Sequence, residues 1–167
     1  MTDTSTVITI RAVTLADLDT LTDIEARSFP PEEKATRERF AERLAAFGEH
    51  FLIAEVHGQP AGLIDGMVTD SMTIEDAMFE DATRHNPQGA WQSVFGLCVA
   101  PEYRRHGVAA ELMKAFIAKA RADGRQGVTL TCKEHLIPFY ERFGFVSQGV
   151  SASVHGGATW YDMVLRF

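Results

Sequence analysis

The chain holds only two cysteines among its 167 residues, Cys98 and Cys132, each inside an apolar run of the kind that becomes a strand. No disulfide framework is available, and a reducing cytoplasm is the expected compartment. Long uncharged stretches are also missing. None reaches the roughly 18 residues a membrane span needs, and the opening MTDTSTVITI has no basic segment ahead of its apolar residues, so a soluble, unprocessed protein is expected. Positive charge is scarce: 16 Lys and Arg stand against 23 Asp and Glu, a net charge of -7. That disfavours a surface that gathers phosphate backbone by charge, and neither nucleic acid nor membrane is an expected partner. The six histidines, His50, His57, His85, His106, His135 and His155, show no spacing with Cys or acids that suits zinc. No metal is expected, and the histidines are read as dispersed surface or loop residues.

Repeats, low-complexity tracts and linkers are absent as well, and 18.5 kDa with 46% hydrophobic residues fits one domain over residues 1–167. A chain of this length buries roughly 70% of its unfolded surface, enough to build a core without staples. Val7 to Ile10 reads as a strand. Thr14 then opens a Thr-x-x-acid cap before Leu15, Leu18, Leu21 and Ile24 at helical spacing. Phe29-Pro30-Pro31 breaks that helix from a second one carrying Phe40, Leu44 and Phe47. Phe51 to Val56 and Ala61 to Val68 read as a hairpin about His57-Gly58-Gln59-Pro60. Periodicity weakens from Thr69 to Ala90, where Thr73 to Asp76 can cap a short helix, and this stretch reads as an adaptable flap.

Trp91 to Val99 then reads as one strand, and a helix follows Gly107 until Asp123-Gly124. Gly127 to Cys132 is the next strand, Pro138 to Phe143 a short helix closed by Gly144, and Phe145 to Val150 with Thr159 to Arg166 an antiparallel pair. This order predicts a mixed α/β sheet covered by helices.

The chemistry concentrates where the strand ending Leu97-Cys98-Val99 feeds a turn, Arg104-Arg105-His106-Gly107, and the turn feeds a helix starting Val108-Ala109-Ala110. Small residues at a helix start let backbone N–H groups and the positive helix end approach a phosphate, and two arginines add charge. The Walker spacing and the Gly-x-Gly-x-x-Gly fingerprint are both missing, so the usual nucleotide folds are disfavoured.

The segment Arg104 to Ala109, behind a strand ending Leu-x-Val, resembles the Arg/Gln-x-x-Gly-x-Gly/Ala signature of the GNAT N-acetyltransferases. Ile137-Pro138-Phe139-Tyr140-Glu141-Arg142-Phe143-Gly144-Phe145 resembles the family's later Phe-Tyr-x-x-x-Gly-Phe motif. The block Leu136 to Phe145, with Phe29-Pro30-Pro31 upstream, is similar to arylalkylamine N-acetyltransferases in particular. The resemblance implies a splayed, largely antiparallel mixed sheet with helices on both faces. It implies acetyl-CoA in a wedge between the strands ending at Val99 and near Cys132, held by the backbone of Leu97, Cys98 and Val99 and, at the pyrophosphate, by Arg104 through Ala110. A backbone N–H near Cys98 would stabilise the oxyanion formed when an amine attacks the thioester. Tyr140 is the expected general acid toward the departing thiolate.

The acceptor half is less determined. The positions at which some animal arylalkylamine enzymes carry two histidines are Ser93 and Phe95 here, so the base is unassigned. Phe29, Pro30 and Pro31 are either an apolar acceptor wall or punctuation between two helices. Glu75, Asp76, Glu80 and Asp81 read as a solvated face, Cys98 as a core residue rather than an acyl carrier, and His135 as a cap or exposed residue. The expected activity is acetyl transfer to a small primary amine, arylalkylamine- or polyamine-like, by direct attack, with dimerisation open. A protein N-terminal or lysine acetyltransferase and a non-catalytic acyl-CoA-binding module are the alternatives.

Overall fold

The computed structural model describes residues 7–167; the expectation of an unprocessed start concerns residues that partly lie outside these. The elements run β1 (Ile8–Ala12), α1 (Leu18–Ser28), α2 (Arg37–Phe47), β2 (Phe51–Val56), β3 (Gln59–Asp65), β4 (Val68–Thr69), α3 (Asp76–Glu80), β5 (Trp91–Val94), β6 (Gly96–Val99), α4 (Val108–Ala122), β7 (Gly127–Cys132), α5 (Ile137–Glu141), β8 (Val146–Val150) and β9 (Tyr161–Arg166). Two sheets result, ordered β1-β2-β3-β6 and β4-β5-β7-β9-β8. All pairings are antiparallel except β5 with β7. Among the described residues, no helix is long and apolar enough to cross a membrane.

The helix signals act as read, with one shift. Thr14 donates its backbone N–H to Asp17 Oδ2 at 2.8 Å, but the first turn, Leu15–Asp17, is 3-10 before α1 begins. The expected strand Ala61 to Val68 ends at Asp65, and its last residue belongs to β4 in the other sheet.

A break in the strand after Val94 creates the site. Trp91 to Val99 is two strands, not one, because an extra residue is inserted near Phe95. Phe95 donates to the Asp65 carbonyl and Ala100 to the Ala61 carbonyl, so five residues advance on one side of the ladder against four on the other. Such a bulge re-aims a strand. β5 therefore pairs with β7, while β6 leaves that partner and pairs only with β3.

One core lies under α4, where Leu112, Met113 and Phe116 meet Ile64, Val128 and Leu130. The other packs Leu21 and Ile24 of α1 and Phe40 and Phe47 of α2 against Phe51, Ile53 and Leu63. Both faces of the sheet are thus covered, and β3 is buried from Ala61 to Asp65.

Candidate active site

The gap between β6 and β7 opens into a cleft of about 260 Å³. Val94, Phe95 and Leu97 line it from one side, Leu130, Thr131 and Cys132 from the other, and Tyr140 lies between them. Alternation along the β6 ladder decides which backbone groups face the gap. Ala100 donates to Ala61, so Cys98, two residues earlier and opposite Leu63, turns its N–H toward β3. Leu97 and Val99 turn theirs toward the gap, so the donor expected near Cys98 belongs to its two neighbours. The Cys98 side chain is buried in the core beneath α1, and burial, with Glu25 and Asp65 nearby, raises its thiol pKa well above the ordinary range.

Beyond β6 the chain makes the expected turn. Gly107 (φ 82) and Arg105 (φ 68) both adopt left-handed backbone. A Cβ built on Gly107 would meet nothing within 4 Å, so the start of α4 is open, and its first-turn N–H groups have no intrahelical acceptors. Arg104 Nε donates to the Val99 carbonyl at 3.3 Å, and Glu102 bonds Arg27 of α1 at 2.8 Å. An open helix start beside free strand edges fits a pyrophosphate joined to an extended acyl arm.

Tyr140 is buried. Its ring packs edge-on against Phe139 and Phe145, with centroids 5.1 and 5.9 Å away. Among the described residues its hydroxyl makes no hydrogen bond. Burial, with Cys132 and Cys98 nearby, lifts the phenol well above its usual range, so it stays protonated at neutral pH. Burial alone raises the Cys132 thiol to about 11.

The far end of the cleft is lined by Phe29, Phe79, Phe95 and Trp160, with Glu25, Glu33 and His155 among them. His155 stacks on Phe79 at 4.8 Å, and its Nε2 lies 3.0 Å from the Glu33 carbonyl, to which it donates. The Glu33 carboxylate holds Lys133 Nζ at 2.9 Å. Asp76, expected on a solvated face, instead accepts from Val154 N at 3.0 Å and from the Ser153 hydroxyl, tying the 151–158 loop to α3. Glu80 reaches the cleft rim.

Of the acceptor-side residues expected from the sequence, Phe29, Pro30, Pro31, Ser93 and Phe95, only Phe29 and Phe95 line the cleft. Pro30 and Pro31 are exposed and outside the cleft lining, because the Pro30 carbonyl closes a turn by accepting from Glu33 N and Lys34 N. Ser93 is fully buried, and its hydroxyl donates to the Met67 carbonyl at 2.7 Å. His135 is exposed.

Sequence reasoning missed a buried ionic group behind Phe95. Glu25 of α1, Arg43 of α2 and Asp65 of β3 are each at most 5% exposed. Arg43 Nη1 lies 3.4 Å from Asp65 Oδ2, and its guanidinium sits 4.9 Å over the Phe95 ring. The signals were present: Glu25 follows Leu21 by four residues on the apolar stripe of α1, and Asp65 interrupts an apolar strand.

Histidines were misjudged too. His50 is 1% exposed, and its ring is 5.2 Å from that of His85. Ligand atoms of Glu49, His50 and His85 lie within 4.8 Å of one another. Both rings are already engaged: His50 Nδ1 bonds Gln92 Oε1 at 2.9 Å, and His85 Nδ1 accepts from Val68 N at 3.0 Å. With Nδ1 an acceptor, neutral His85 carries its proton on Nε2. Burial lowers His50 to about 4.

A family model described as an acetyltransferase (GNAT) domain matches residues 17–167. The chain belongs to the GNAT acetyltransferases. This GNAT chain is similar to serotonin N-acetyltransferase of Mesocricetus auratus, with 28% identity over 85 residues, 50% of this chain and 41% of that protein. The match spans less than half of that relative's length. The loading GNATL domain of CurA from Lyngbya majuscula shares the fold at TM-score 0.81, with 13% identity over 96% of this chain and 98% of that one. Naa50 of Arabidopsis thaliana, solved in complex with the bisubstrate analogue CoA-Ac-MVNAL, does so at 0.73, with 18% identity over 96% and 99%. These two likenesses bear on the fold, and the splayed sheet expected from the motifs is the one observed.

Proposed function

We propose that this GNAT protein transfers the acetyl group of acetyl-CoA to the primary amine of a small aromatic molecule by direct attack. The observation that carries this reading is one continuous cleft. It runs from the β6–β7 gap past Tyr140 into a chamber walled by Phe29, Phe79, Phe95 and Trp160. Aromatic walls suit an aryl group, and the carboxylates among them suit an ammonium.

The thioester is the donor substrate, supplying an activated acyl carbon. Arg104, Arg105 and the N–H groups from His106 through Ala110, including those of Gly107, Val108 and Ala109, would hold its diphosphate. The Leu97 and Val99 N–H groups would receive the acyl oxygen, where fixed donors stabilise developing negative charge. Tyr140 would give its proton to the departing sulfur, a role its unpaired hydroxyl leaves open. The likeness to a serotonin N-acetyltransferase supports an arylalkylamine over a polyamine. The bonds joining the 151–158 loop to α3 and to Glu33 cover the far end of the cleft. That cover favours a small acceptor over a peptide N-terminus or lysine.

A thiol-release assay with acetyl-CoA tests the reading across arylethylamines, polyamines and N-terminal peptides. Arylethylamines are expected to give the highest kcat/KM. Turnover confined to peptides, or tight acetyl-CoA binding with no thiol release, overturns it.

A further inference from the structure

The proton that an ammonium must lose before it attacks has no acceptor in the donor motif. We propose that Glu25 is the catalytic base, taking that proton directly from the bound amine. This assignment rests on the acetyltransferase reading and adds to it the residue the sequence left unnamed.

Placement argues for Glu25 first. Its carboxylate lines the cleft, and Oε1 lies beside Gly96, 3.1 Å from where a Cβ on that residue would sit. Gly96 immediately precedes Leu97, one of the two donors facing the gap, so the acid stands next to the backbone expected to hold the acyl oxygen. The Ala35 N–H fixes Oε2, which leaves Oε1 as the oxygen to receive a proton. A base must lie within hydrogen-bond reach of the proton it removes; among the other described carboxylates that line the cleft, Glu33 is bound to a cation and Glu80 sits at the rim.

Glu33 is the rival on the same cleft. It already pairs with Lys133, whose ammonium also sits 5.7 Å from the Trp160 ring centre, so a proton arriving there would break an ion pair. Asp65 is fully buried and absent from the cleft lining; it has Arg43 as its partner. The charged and titratable groups facing Glu25 are Arg43 from α2, Asp65 from β3 and Cys98 from β6, with Glu33, Lys34, Arg39, Glu80, Cys132, Tyr140 and His155 also on the cleft. Burial foremost, then Asp65, raises Glu25 to about 8 against the pull of Arg43. A base so adjusted is partly ionised at neutral pH and holds a captured proton well.

The step balances. The ammonium gives one proton to Glu25, which passes it to solvent after turnover. The freed nitrogen lone pair forms the C–N bond, the C–S bond breaks, and sulfur takes the Tyr140 proton. The second nitrogen proton restores Tyr140.

The test compares two acceptors of similar shape: an arylethylamine, and a side-chain-fluorinated analogue whose amine is uncharged at the assay pH. Glu25→Gln is expected to lose on the order of 100-fold in kcat on the ordinary amine. It should keep most of its turnover on the fluorinated one, while Glu33→Gln treats the two acceptors alike. Should Glu25→Gln fail to fold, Glu25→Asp carries the same comparison with a smaller loss. Equal losses on both amines, or the amine-dependent loss appearing in Glu33→Gln, overturn Glu25 as base and leave the acetyltransferase reading standing. Absence of thiol release by the wild type with any amine removes that reading and this assignment together.

Discussion

Glu25 and Asp65 converge on one glycine: a Cβ at Gly96 would lie 3.1 Å from a carboxylate oxygen of each. Two acids from α1 and β3 are thus brought together under the bulge that splits the sheet, with Arg43 as their nearest cation. Their neighbourhood raises both pKa values, Glu25 to about 8 and Asp65 to about 6, in each case chiefly through burial.

The contribution of these two acids to stability should therefore fall as pH rises. Each acid holds its proton in the folded state to a higher pH than in the unfolded chain, whose values are 4.5 and 3.8. Between those values and the folded ones the native state binds more protons, so their unfavourable contribution grows from about pH 4 to about pH 8. Thermal melts at about pH 7 and about pH 9, above the His50 transition, should show the wild type losing more stability than Glu25→Gln. A Glu25→Gln profile as steep as the wild type's contradicts this.

Gly96→Ala should disturb both carboxylates at once. Neither acid can move freely, since Asp65 is held by Arg43 and Glu25 by the Ala35 N–H. Overpacking of this kind costs about 1–3 kcal/mol. Urea unfolding should show that loss, with acetyl transfer falling alongside.

Tyr140→Phe should separate chemistry from packing. The aromatic contacts with Phe139 and Phe145 survive the change, and the hydroxyl leaves no protein partner stranded. Stability should change by less than about 1 kcal/mol, whereas kcat should drop on the order of 100-fold. Calorimetry should find acetyl-CoA affinity nearly unchanged. Parallel losses of affinity and rate would mark a structural residue.

The turn before α4 offers a paired test. Gly107→Ala meets no neighbour within 4 Å, so its cost is left-handed backbone strain alone, about 1 kcal/mol. Arg105→Gly relieves strain of the same kind at φ 68 but removes a cation from the proposed diphosphate site. Melting should show no loss for Arg105→Gly, while titration with CoA shows weaker binding.

Cys98→Ala should retain most of its turnover. The Cys98 thiol is buried and pushed away from ionisation, which is the opposite of what an acyl-carrying nucleophile needs. Loss of transfer without loss of folding would point to a covalent intermediate.

What the sequence determined by itself is whatever depends on neighbours along the chain. The turn Arg104 to Gly107, the Thr14–Asp17 cap and the placement of Tyr140 on a short helix follow from residue spacing, because backbone geometry fixes separations of three or four residues. Tertiary structure decided the rest. The bulge at Phe95 leaves no mark in an apolar run, since a strand that changes sheets keeps the same composition. The acidic pocket joins α1, α2 and β3, and Glu33 meets Lys133 across 100 residues. Which buried charge faces which is set by how helices and strands pack, and no local pattern encodes that distance.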